Sequence, residues 1–69
     1  MNEIINLIER DFPDRVWLLR NHKPGRYSAK LHGLAPDGTH VDVLVCYASR
    51  PSEALSMVYN RALKERAYV

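Results

Sequence analysis

The sequence predicts an α+β fold, a two-layer α-β-β-β-α sandwich in which a three-stranded antiparallel meander sheet packs with two helices. Three observations carry this. Apolar residues recur at helical spacing only at the two ends of the chain. They alternate with a period of two in the middle, and short turns containing proline and glycine divide that alternating part. The 69 residues make one domain, 1–69. A chain this short buries about 60% of the surface its unfolded form exposes, so every large apolar side chain counts.

The opening segment NEIINLIERDF gathers Ile4, Ile5, Ile8 and Phe12 on one helical face, with Leu7 at its edge. Asn2 suits the N-cap and Glu3 the positive end of the helix dipole. Pro13 disfavours helical geometry at Phe12, so helix 1 covers about residues 2–12. RVWLLRN, within a strand of about 15–21, is apolar on both sides: Val16 and Leu18 on one, Trp17 and Leu19 on the other. RYSAKLHGL, about 26–34, sets Tyr27, Ala29 and Leu31 against Ser28, Lys30 and His32. THVDVLVCYA, about 39–48, sets Val41, Val43, Val45 and Tyr47 against His40, Asp42, Leu44 and Cys46. The first of these sets reads as the more buried one.

Between the last two strands, APDGT is a turn: proline presets φ and glycine accepts the left-handed position. A three-residue loop, Pro36 to Gly38, pairs Ala35 with Thr39. Counting back places Leu31 opposite Val43, Ala29 opposite Val45 and Tyr27 opposite Tyr47, with His32 opposite Asp42 on the other face. RPSEALSMVYNRALKER then forms helix 2, about 51–66, opening at Pro51. Its core stripe is Ala54, Leu55, Val58, Tyr59 and Ala62, joined by Leu63, while Met57 sits on the polar side.

The composition, 46% hydrophobic with 26% charged residues, describes a soluble globular domain without a membrane-spanning run or signal peptide, expected in the cytoplasm. A single cysteine, Cys46, excludes an internal disulfide, which leaves self-association as a means of stabilising so small a core. A net charge of +2 permits a polyanionic partner without demanding one.

RNHKPGRY concentrates charge between strands 1 and 2. Arg20, His22, Lys23 and Arg26, with Arg50 at the start of helix 2, are candidate phosphate contacts; the Pro-Gly pair also accounts for the segment as a plain hairpin turn. His32, Asp42 and His40 share a flat strand face, which seldom converges three ligands, so an exposed polar pair is the expected reading and no metal is assigned. Cys46 lacks an orienting partner and a pocket, and the three glycines are isolated, so neither catalysis nor a cofactor or small-molecule site is expected. The sheet's second face is the remaining candidate. If both helices pack on one face, an apolar patch is left open, and the residues to watch are Trp17, Leu19 and Leu44, together with Met57.

The element order and lengths resemble the double-stranded RNA-binding domain. In that family RNA is held by the first helix, the loop between strands 1 and 2, and a lysine-rich start of helix 2. The resemblance implies contacts from His22, Lys23 and Arg26 in NHKPGR. Helix 2 departs from the family, since Ser49-Arg50-Pro51-Ser52-Glu53 offers one cation and one carboxylate, and helix 1 mixes Glu3, Glu9, Arg10 and Asp11. The Trp-containing strand, the Tyr-Ser-Ala strand and the Ala/Leu helix are also similar to small phage-encoded or prophage-encoded α/β sandwich proteins. That likeness implies an accessory protein binding itself or a host protein. The expected function is therefore non-enzymatic interaction with a protein partner or as a homodimer. The alternative is nucleic-acid binding through the basic loop.

Overall fold

The computed structural model describes residues 2–67. The chain runs α1 (Asn2–Asp11), β1 (Val16–Lys23), β2 (Arg26–Leu34), β3 (His40–Ala48) and α2 (Pro51–Ala67), with the strands in one open antiparallel sheet ordered β1-β2-β3. The predicted α+β class and element order are thus present. Pro13 ends α1: the Phe12 N–H still closes the last turn on the Ile8 carbonyl (2.8 Å), and the Arg15 N–H donates to the Phe12 carbonyl (3.1 Å) to turn the chain into β1.

Both helices lie on the same side of the sheet. Ile8 and Phe12 from α1, Ala29 and Leu31 from β2, Cys46 from β3, and Ala54, Leu55, Val58, Tyr59 and Ala62 from α2 form one buried cluster. α2 packs on β2 and β3, whereas α1 packs chiefly on α2. The predicted stripe of α2 is buried, Leu63 flanks it, and Leu7 joins the edge of the α1 stripe. Leu55 and Val58 are fully buried, each worth about 1.5–3 kcal/mol of hydrophobic stabilisation.

The β2–β3 register departs from the sequence expectation in one informative way. The turn itself forms as predicted, with the Ala35 N–H donating to the Thr39 carbonyl (2.9 Å) and Gly38 at φ 86°. Gly33 pairs with Val41 as the three-residue loop requires. Beyond that point a bulge intervenes, and Leu31 pairs with Leu44, Ala29 with Cys46 and Tyr27 with Ala48. The extra residue is Asp42, which takes φ 53°, a left-handed conformation that aspartate tolerates better than most residues. Because side chains alternate, this one-residue slip exchanges the two faces of β3. Leu44, Cys46 and Ala48 face the helices, while Val43, Val45 and Tyr47 face away. The pairing of His32 with Asp42 is lost as well: Asp42 reaches Arg15 (3.8 Å) instead.

A clasp holds α1 to α2. The Tyr59 hydroxyl donates to the Asp11 carboxylate, and the Phe12 and Tyr59 rings meet edge to face at 6.1 Å. Arg66 donates to the Asp11 carbonyl (3.1 Å), supplying a partner at the end of α1, and its guanidinium lies 4.9 Å from the centre of the Phe12 ring. Hydrogen bonds from Arg10 and then from Tyr59 hold the Asp11 carboxyl down to about 2. The same Asp11–Tyr59 bond, with burial, pushes the Tyr59 phenol up.

Two outcomes follow from these contacts. Deleting Asp42 should leave Val43 opposite His32 and Leu44 opposite Leu31 on a regular ladder, so the deletion variant should fold with the same faces and a stability within about 1 kcal/mol of the parent in urea titration. Loss of the fold would show that the bulge does more than set register. For the clasp, a folded-state carboxyl near 2 lies below the unfolded value of about 3.9. Its contribution is therefore complete above that unfolded value and disappears as pH falls toward 2. Carbon-detected NMR titration should place the Asp11 midpoint near 2, and Tyr59→Phe should raise it.

Candidate functional site

With both helices on one side, the opposite face of the sheet is left without a covering layer among the described residues. Its composition follows from the two registers. Val16 lies beside His32; Leu18, Lys30 and Val45 form the next row; Arg20, Ser28 and Tyr47 form the row after that. Leu18 keeps 48% of its surface exposed, Val43 45% and Tyr47 53%.

At the β1–β2 end the chain turns through Pro24 and Gly25, the latter at φ 80°. β1 extends to Lys23, so His22 and Lys23 belong to the strand and not to a loop as the sequence suggested. The register shifts between Asn21 and Lys23, which makes His22 a bulge residue. His22 Nε2 lies 2.8 Å from Ser28 Oγ and its ring 5.9 Å from that of Tyr47. Arg26 stands over the same tyrosine ring, 5.5 Å from its centre. Tyr47 is therefore held between two basic side chains at the corner of the open face. Beside it, a hollow of about 330 Å³ is lined by Lys23, Gly25, Arg26, Tyr47, Ala48 and Ser49.

The fold sorts the sequence-derived candidates. Trp17, Leu19 and Leu44 are half-buried against the core on the helix side and do not lie on the open face. The expectation of a patch beside Leu44 is corrected by the Asp42 bulge, which moves that role to Val43 and Val45. Met57 is exposed, but it belongs to the helix layer on the far side of the sheet. Arg20 and His22 are exposed on the open face, Lys23 and Arg26 line the hollow, and Arg50 is exposed and next in sequence to Ser49, which also lines it. Sequence reasoning missed Leu18, Lys30, Val43, Val45 and Tyr47 as a group. The alternation of Val43, Val45 and Tyr47 was visible but read as the buried side, Lys30 was placed on the polar side with Ser28 and His32, and Leu18 stood in one of two apolar pairs of strand 1.

The histidines also rearrange. His32, expected on an exposed surface, is 1% exposed and stacks on His40 at 4.0 Å; its Nδ1–H donates to the Gly33 carbonyl (3.2 Å). Asp42 has turned away to Arg15. Among the described residues there is no cluster of three histidine, cysteine, aspartate or glutamate side chains that could hold a metal. No helix among them is long and apolar enough to cross a membrane.

Among the described residues, the open face carries charge of one sign. Of the eight acidic residues in the chain, only Asp42 lies within a strand. Asp42 and its neighbour Val43 line a cleft of about 670 Å³ together with Asp11, Asp14, Glu65 and the cations Arg15, Arg61 and Arg66. Among the described residues, the ion pairs are Arg10–Asp11, Arg15–Asp42 and Arg61–Glu65, and none engages Arg20, Arg26 or Lys30. No protein-family model, curated protein or solved structure matches the chain.

The assignment of faces is checked by stability. The double variant Leu18→Thr/Val43→Thr should unfold within about 0.5 kcal/mol of the parent, because solvent-facing substitutions remove little packing. Leu44→Asp should lose several kcal/mol or fail to fold, since it places a carboxylate against the core. Urea titration of the three proteins distinguishes the faces, and equal losses would contradict the register.

Proposed function

We propose that the chain is a non-enzymatic binding module whose working surface is the uncovered face of its sheet, and that the partner it docks is a protein. The observation that carries this reading is the set of apolar side chains Leu18, Val43, Val45 and Tyr47 left in solvent around Lys30, on a sheet whose other face is already filled by helices. Monomers rarely leave large apolar patches in water, and such patches mark contact sites. Trp17, Leu19 and Leu44 support the site from the opposite side of the sheet by fixing it to the core.

A second reading has its own support. The hairpin end gathers Lys23, Arg26 and Ser49 around one hollow, with Arg50 adjacent, and cations that converge in this way suit a phosphate backbone. This reading makes the chain a nucleic-acid binder acting through Arg20, His22, Lys23, Arg26 and Arg50.

The two are separated by immobilising the chain and its Leu18→Thr/Val43→Thr variant beside a Lys23→Glu/Arg26→Glu variant. Under the protein-docking reading, a bound protein is retained by the parent, is lost from the threonine variant and survives moderate salt. Equal retention by parent and threonine variant overturns it. Under the nucleic-acid reading, duplex RNA or DNA binds, the glutamate variant abolishes binding, and phosphate contacts from Lys23, Arg26 and Arg50 alone weaken it about 40-fold between 50 and 200 mM salt.

A further inference from the structure

We infer that the occupant of the open face is an acidic amphipathic helix of another protein, not a second copy of this chain. This names the partner's chemistry and rests on the protein-docking reading above.

Charge is the first argument. Lys30 sits on the central strand in the row between Leu18 and Val45, and Arg20, His22 and Arg26 follow toward the hairpin. Among the described residues, no carboxylate faces them. A two-fold axis through the centre of this face would bring Lys30 toward its own copy and add a second set of cations with no carboxylate among the described residues of the face to offset them, and juxtaposed like charges select against such a pairing. Carboxylates on a partner would complement every cation in the surface.

The second argument is the distribution of apolar area. Leu18 and Val45 flank Lys30, and neither offers a donor to phosphate. A nucleic-acid backbone would leave these residues uncovered, whereas leucine-like side chains would cover them. Alternation of apolar and cationic groups within single rows calls for a ligand with an apolar stripe edged by acid.

Dimensions supply the third. Three strands span two inter-strand spacings, about 10 Å, close to the 10–12 Å diameter of one helix. From Val16 to His22 the strand runs about 20 Å, which a helix of about 13 residues matches. The sheet already carries helices on its other face, so a docked helix completes a third layer of the same kind.

The test is amide NMR of the labelled protein with three probes. They are a helical peptide of about 15 residues built from leucine, alanine and glutamate, its counterpart with lysine in place of glutamate, and a short RNA duplex. Dilution of the protein alone is followed in parallel. The expected result is shifts at Leu18, Lys30, Val45 and Tyr47 with the glutamate peptide, and at least about tenfold weaker binding of the lysine peptide at low salt. Lys30→Glu should erase or reverse that preference. Should it fail to fold, Lys30→Gln with Arg20→Gln should reduce the preference instead. Equal affinity for the two peptides at this face, or concentration-dependent shifts of the same residues in the protein alone, would overturn the inference and leave the open-face reading standing. Tighter binding of the duplex at these residues would overturn both in favour of the nucleic-acid reading. Absence of any shift on the face with every probe would remove the inference and the docking reading together.

Discussion

The architecture depends on one extra residue in the last strand. A β-sheet has two faces and a side-chain period of two, so a single unpaired residue decides which half of a strand becomes core. Asp42 is that residue. On its turn-proximal side the ladder follows the loop, with Gly33 beside Val41; beyond it Leu44, Cys46 and Ala48 turn toward α2. The choice is sensible sterically. α2 approaches β2 and β3 through Ala54, Leu55 and Val58, and the strands beneath it offer Ala29, Cys46 and Ala48. Tyr47 directed inward would occupy space that these small side chains leave to the helix, and close packing tolerates little excess volume.

The price of that arrangement is a β-branched and aromatic strand face in water. α1 cannot relieve it, because the clasp of Asp11 and Phe12 with Tyr59 and Arg66 holds α1 beside α2. That clasp combines an aromatic edge-to-face contact, a charge-assisted hydrogen bond and a partner for a helix-terminal carbonyl, each of modest strength and all at one corner. It lets a small core recruit a short helix that touches the sheet very little. The helices thus gather on one side, Asp11, Asp14, Asp42 and Glu65 meet around one cleft, and the open face of the sheet is left with lysine, arginine and histidine.

Under the proposed docking reading, segregation of charge makes the uncovered surface selective. An apolar face alone would stick to many surfaces, including itself. Cations placed in its rows disfavour self-pairing and leave the attraction to acidic partners intact. On the proposal made above, the sandwich is a two-layer structure to which a partner adds a third layer.

Much of this was legible in the residues. Ile4, Ile8 and Phe12 in α1, and the stripe from Ala54 to Ala62 in α2, declared themselves by spacing; Pro13 and Pro51 marked helix limits; Ala35-Pro36-Asp37-Gly38-Thr39 defined its turn. These features are local, fixed by dihedral preferences and periodicity within a few residues, so the sequence by itself determined the element order and one hairpin. The inward face of β3 was not local. Val43, Val45 and Tyr47 have the higher intrinsic claim to a buried strand face, and only the bulk of α2 above the sheet rules against them. His22 and His32 were misplaced for the same reason: a bulge and a stacked neighbour, both products of strand pairing, set their surroundings. Tertiary structure alone decided which face would be open, because register is settled by what the finished core can accommodate and not by the strand that carries it.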